Sequence, residues 1–222
     1  MSALEALINL TKMSNKTNID VFDTVTDLFI NSLLPHHRKL IPIQNRGNDW
    51  KMLKSKALDK PAKDQIFAYW HYEHELKDQY HGYLLNLQSS LQNGKEVSKV
   101  KAIIAATKLL KSCPEREAFL LTVLVNKFGD PDKKIASKAT YNLRQILLTH
   151  PNMAQVMAVE AEKLIFRNNI TELAQHYGIG FLSLLAPIAN VETSQKLINI
   201  CFCFFKIKIE KVRSLSSLLS EA

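Results

Sequence analysis

Lys133, Lys134, Ser137, Lys138, Tyr141 and Arg144 recur at steps that return to one side of a helix. Projected at about 100° per residue, they lie opposite Ile135, Ala139, Leu143 and Ile146. The chemistry of such a face is electrostatic. Cations spaced about one helical turn apart can follow a phosphate backbone, and Tyr141 offers a ring on which a base can stack. A solvated lysine face has the same pattern, so these residues form a candidate RNA or phosphate contact set. A second cationic stretch lies between His36 and Lys60. Periodicity fades there, and Arg38, Lys39, Arg46, Lys51, Lys54, Lys56 and Lys60 stand against Asp49 and Asp59. It reads either as an arm that orders on RNA, with Arg38, Lys39, Arg46, Lys51 and Lys54 as contacts, or as a solvated linker. Lys51, Lys54 and Lys56 also form a loose nuclear-import pattern.

Other chemistries find less footing. His74, Asp78 and His81 share a helix face one turn beyond His71, but HExxH is absent and no cysteine is near, so surface polar residues explain them better than zinc. There is no Gly-rich phosphate loop, no G-x-S-x-G elbow and no kinase signature. Asp130 with Asp132, and Glu160 with Glu162, read as helix caps and exposed charges rather than catalytic pairs. The expectation is a non-enzyme with no cofactor and no small-molecule substrate.

The 222 residues are 46% hydrophobic and 23% charged, with 29 Lys and Arg against 21 Asp and Glu, a net charge of +8. That surplus favours an anionic partner such as nucleic acid. Cys113, Cys201 and Cys203 form no CxxC pair, and an odd number beside apolar neighbours suits a reducing compartment. No secretory signal is visible. The most apolar stretch, Leu197–Phe205, falls short of the ~20 residues a membrane span needs and is expected to be a helix buried between neighbours. The expectation is a soluble intracellular protein without membrane contact.

The elements that hold these residues are read from the same periodicity. Leu121, Leu124, Val125 and Phe128 line one helix face, Gly129 is placed to close that helix in the left-handed conformation, and Asp130 and Pro131 to open the next. Two amphipathic helices joined so tightly must fold back on each other. Helices are expected near residues 3–13, 18–33, 61–91, 95–112, 114–128, 131–149, 152–168, 170–186 and 191–206, with a terminal one to about 219. Phe22, Val25, Phe29 and Leu33 form the buried stripe of the second; Ile66, Trp70, Leu76, Tyr80, Leu84, Leu87 and Leu91 form that of the third. Hairpins begin near 95, 131 and 170, a spacing of roughly 36 to 39 residues. The fold expected is all-α, a HEAT/armadillo-like α-solenoid of antiparallel helix hairpins. Residues 1–60 would form N-terminal helices and a basic loop, and 61–222 the helical-repeat segment. Apolar stripes at both ends, including Leu215, Leu218 and Leu219, suggest an internal part of a longer solenoid.

Four stretches carry a family resemblance: Leu10–Pro35, Tyr72–Leu84, LLTVLVNKFGDPDKKIASKATYNL at Leu120–Leu143, and HPNM with EAEKLIFRNN between His150 and Asn169. The chain resembles the CCAAT/enhancer-binding protein zeta family, also called the CBF/nucleolar complex family of ribosome-assembly factors. It departs at LLPHHRKL, where His36 and His37 stand in place of the family's acidic residue. The resemblance implies a nuclear and nucleolar helical-repeat protein in large-subunit assembly, pairing with a second nucleolar complex protein and other assembly factors on pre-ribosomal RNA. It also carries an alternative, transcriptional co-activation at CCAAT elements through protein partners. No basic region running into leucine heptads supports direct DNA reading.

Overall fold

The computed structural model describes residues 2–12, 18–55 and 59–220, with side chains for all of these but 18, 19 and 210–220. Lys56 lies outside the described residues, and Leu215, Leu218 and Leu219 outside the described side chains. Among the described residues every regular element is helical, so the all-α expectation is what the chain adopts. The chain divides into two compact units, residues 1–120 and 121–222. The N-terminal sixty residues lie in the first unit together with the two helices that follow them.

In the first unit, α1 (Ser2–Leu10), α2 (Asn18–Leu28) and α3 (Gly47–Ser55) gather on α4 (Lys60–Asn93) and α5 (Glu96–Ser112). The length of α4 follows from its sequence. Asp59 caps it, accepting from the Ala62 N–H at 3.3 Å, and Pro61 occupies the first turn, where no N–H is needed. The aromatic stripe then buries Trp70, Leu76, Tyr80, Leu84, Leu87 and Leu91. Ile66 is only half-buried. Tyr83, outside the expected stripe, is fully buried as well, because α2 covers that side of α4. Phe29 meets Tyr80 and Tyr83 at ring separations of 5.0 and 5.4 Å. Tyr83 donates to the Phe22 carbonyl at 3.3 Å and its hydroxyl lies 2.8 Å from that of Thr26, so its polar end is satisfied within the core. Burial pushes the Tyr83 phenol above its usual pKa, and it stays neutral.

The second helix is not uniform. Its last turn, Phe29–Leu33, widens into a π-helix, closed by the Leu34 N–H donating to the Phe29 carbonyl at 2.8 Å. The acidic residues of α2 tie it to its neighbour: Asp23 pairs with Lys101 and Asp27 with Lys108, joining α2 to α5.

α6 (Glu117–Asn126) crosses from the first unit into the second. The second unit continues with α7 (Lys133–Thr149), α8 (Ala154–Ile165), α9 (Glu172–Leu185) and α10 (Val191–Ser220). The turn before α7 differs from the sequence reading. α6 ends in a 3-10 turn, Lys127–Gly129, and no glycine among the described residues has positive φ. The small residue at Gly129 serves proximity instead: a Cβ there would stand 3.3 Å from that of Ala174 on α9. The cap of α7 is Asp132, whose Oδ1 accepts from the Lys134 N–H at 2.8 Å, so Pro131 precedes the helix. Asp130 is buried and holds the turn closed, accepting from Lys127 Nζ at 3.0 Å and the Asp132 N–H at 3.1 Å. Phe128 below it meets Phe181 of α9 at 5.4 Å.

The two C-terminal helices expected are one continuous helix, α10, because no Gly, Pro or cap interrupts residues 191–220. Its apolar stretch is not sandwiched. Leu197 and Ile200 are buried against α9, whereas Phe202 is 68% and Phe205 64% exposed.

Packing of α9 on α8 makes a testable contrast. A Cβ at Gly178 would fall well inside van der Waals contact with the buried, branched Ile165 side chain, whereas one at Gly180 would meet nothing within 4 Å. Gly178→Ala is expected to destabilise by about 1–3 kcal/mol. Gly180→Ala should stabilise by about 0.5–1 kcal/mol, because a helical glycine gives up more backbone entropy on folding. Urea unfolding of the two variants checks both signs.

Candidate nucleic-acid interface

The cationic row on α7 is arranged as its periodicity requires. Ile135, Ala136, Ala139, Leu143, Ile146 and Leu147 are buried, and their burial fixes the rotation of the helix. Lys133, Lys134, Ser137, Tyr141 and Arg144 are exposed on the other side, with Lys138 half-exposed. Tyr141 is 56% exposed, and Lys138 Nζ stands 5.7 Å from its ring centre. That distance suits a cation–π contact that orients both side chains. The start of α7 is anchored twice, by the Asp132 cap and by Tyr177 of α9 donating to the Lys133 carbonyl at 3.3 Å. The structure thus brings Lys133, Lys134, Lys138, Tyr141 and Arg144 together on one rigid face.

The second cationic stretch is neither an arm nor a linker over its described part. A 3-10 turn (Ile43–Asn45) and α3 fold it onto α4, held by two carboxylates. Glu73 of α4, 2% exposed, takes Arg38, Arg46 and the Ile41 N–H at 3.1 Å. Glu115 accepts from the Leu40 N–H at 2.7 Å and pairs with Lys77 at 3.2 Å, while Lys77 itself donates to the Leu40 carbonyl at 2.7 Å. Trp50 packs against Phe67 and Trp70 at 5.0 and 5.2 Å.

Arg46 is corrected: it is 6% exposed, paired with Glu73 and Asp49 and set 5.1 Å from the Trp70 ring centre, so no nucleic acid can reach it. Arg38 is half-exposed but its guanidinium is occupied by Glu73 and, at 2.8 Å, by the Tyr69 hydroxyl. The bond to Glu73 foremost, helped by Tyr69, raises its pKa. Lys39 pairs with Glu117 at 2.7 Å. Lys51 and Lys54 are exposed on α3. The residues missed are Glu73 and Glu115. A signal for Glu73 was present, since it sits between Trp70 and Leu76 on a stripe whose other buried positions from Trp70 to Leu87 are aromatic or aliphatic.

Of the other polar candidates, His71, His74, Glu160 and Glu162 have local partners. His74 stands 3.8 Å from Asp78 and His71 3.3 Å from Glu75, each one turn apart on α4. Among the described residues no three metal-ligating side chains converge. Glu160 pairs with Lys163, and Glu162 with Lys196 of α10. The cysteines are free, and burial pushes the Cys113 and Cys201 thiols up, away from reactive thiolates. No described helix is long and apolar enough to cross a membrane.

Helix hairpins presenting a cationic ridge and exposed apolar faces define an all-α, helical-repeat class of protein. No protein-family model matches the sequence. It is 50% identical over 212 residues to Nucleolar complex protein 1 of Drosophila melanogaster, covering 95% of this chain and 18% of that protein. It is 36% identical over 220 residues to human CCAAT/enhancer-binding protein zeta, covering 98% and 21%. Ribosome biogenesis protein NOC1 of Chaetomium thermophilum is 34% identical over 176 residues, covering 73% and 17%. The chain belongs to the CCAAT/enhancer-binding protein zeta family, the CBF/nucleolar complex group, and with it to the nucleus and nucleolus. It spans about a fifth of the length of these relatives.

Proposed function

We propose that the chain is a non-catalytic, HEAT/armadillo-like scaffold segment in ribosome biogenesis. In this reading α7 contacts pre-ribosomal RNA of the large-subunit precursor, and apolar grooves between helices bind assembly factors, a second nucleolar complex protein among them. The observation that carries it is the exposed face of α7, where four cations and Tyr141 share one anchored helix in a chain of +8. Such a ridge can follow a phosphate backbone and adds a stacking ring, the combination single-stranded RNA uses. The names of the relatives, nucleolar and in one case of ribosome biogenesis, support the cellular setting.

The test is residue-mapped RNA–protein crosslinking in cells with Lys134→Glu/Lys138→Glu. Crosslinks to ribosomal RNA precursors at α7 are expected in the parent and lost in the variant. Unchanged crosslinking would remove α7 from the interface. Recovery of promoter DNA and transcription factors without pre-ribosomes would favour the co-activator reading.

A further inference from the structure

Ile198, Phe202, Phe205 and Ile209 are all exposed on α10, although α10 also buries Leu197 and Ile200 against α9. Their spacing of four, three and four residues is the seam of a helix that expects a second helix alongside it. Beside them runs a groove of about 510 Å³ between α9 and α10, with Ile179 and Gly180 on one wall and Phe202 and Phe205 on the other. It continues along α9 as a further space of about 170 Å³ bordered by Phe204 and Ile207. From Ile198 to Ile209 the seam is about 17 Å long at 1.5 Å per residue, which is three turns of helix. A small molecule would need convergent polar groups to orient it, and this lining is almost wholly apolar.

The flanks select the occupant. With Phe202 and Phe205 as seam positions, Lys206 and Lys208 take the flanking positions on either side, both exposed. His176 and Lys208 also line the groove. Glu172, at the far end, already has a partner within the fold. Flanking charges set which helix can pair, and like charges brought together are strongly unfavourable. A second copy of this chain would set Lys206 and Lys208 against their own kind. We propose that the α9/α10 groove is the docking site for a three-turn amphipathic helix of a protein partner, apolar along its seam and acidic on both flanks. This deepens the scaffold reading by assigning one groove and the chemistry of its occupant.

The experiment uses the 222-residue chain and two labelled, lactam-stapled helical peptides of about 14 residues, each with leucine at the seam positions. One carries glutamate on the flanks and the other lysine. Fluorescence anisotropy is expected to show the acidic peptide binding at least about tenfold more tightly than the basic one. Gly180→Met fills the groove from a position where a Cβ meets nothing within 4 Å, and should abolish binding without disturbing the fold. Phe205→Glu should do the same. Equal affinities, no binding, or binding that survives Gly180→Met overturns the proposal. So does concentration-dependent self-association that requires Phe205, which would make a second copy the occupant. Lys134→Glu/Lys138→Glu separates this outcome from the RNA reading: it should leave peptide binding intact whatever becomes of the RNA contacts.

Discussion

Glu73→Ala is expected to destabilise the first unit by about 3–5 kcal/mol, the range for removing one partner of a buried ion pair. The reason lies in what remains. Arg46 is 6% exposed and keeps its charge with only Asp49, 3.1 Å away and itself half-exposed. The Ile41 N–H loses its acceptor. Arg38, already near water, can turn outward and adds little to the loss. The consequence is local first: amide hydrogen exchange should show protection falling across residues 40–55 before α4 is affected. Two controls fix the interpretation. Lys39→Ala breaks the exposed pair with Glu117, and should cost no more than about 1 kcal/mol. Glu73→Leu combined with Arg46→Met removes both charges together, and should regain most of the lost stability. If Glu73→Ala left the unfolding midpoint and the exchange pattern of residues 40–55 unchanged, the carboxylate would not be what holds this segment in place.

That segment also marks where the sequence was legible and where it was not. The apolar repeat of α4 and α7 gave their existence, their rotation and the exposed cationic row, because burial of a stripe dictates what faces water. Phe22, Val25 and Phe29 were legible for the same reason. Residues 36–55 read as unstructured because their order does not come from an apolar stripe of their own. It comes from Glu73 and Glu115, which lie 27 or more residues away in sequence from the groups they bind. Buried ion pairs have no periodicity to detect. The turn at Gly129–Asp132 failed in a narrower way. Its residue types were right for a cap, but two aspartates competed, and the closeness of α9 decided which faced the helix and which the core. At α10 the apolar run of Leu197–Phe205 predicts a helix buried between neighbours, yet periodicity alone cannot say how many neighbours a helix has.

Replacing Lys133, Lys134, Lys138 and Arg144 together with glutamine is expected to lower affinity for single-stranded RNA by roughly 200-fold at 0.15 M salt. The figure follows from counterion release. Each phosphate contact on a single strand contributes about 0.7 to the slope of log affinity against log salt, equivalent to about fourfold at this ionic strength. Four lost contacts multiply to the stated factor and flatten the slope by about 3. The fold should tolerate the change, because these side chains lie opposite the buried stripe and it is the Lys133 carbonyl, not its ammonium, that Tyr177 holds. Tyr141→Ala probes the same face by a different force. Loss of one stacked base costs about 1–3 kcal/mol and should leave the salt slope unchanged, since stacking releases no counterions. The two variants therefore diverge as salt rises: the glutamine variant converges on the parent at high salt, while the Tyr141 variant stays weaker throughout. A slope unaltered by removing four cations would mean that RNA does not run along α7, and the ridge would then be only the solvated side of a packed helix.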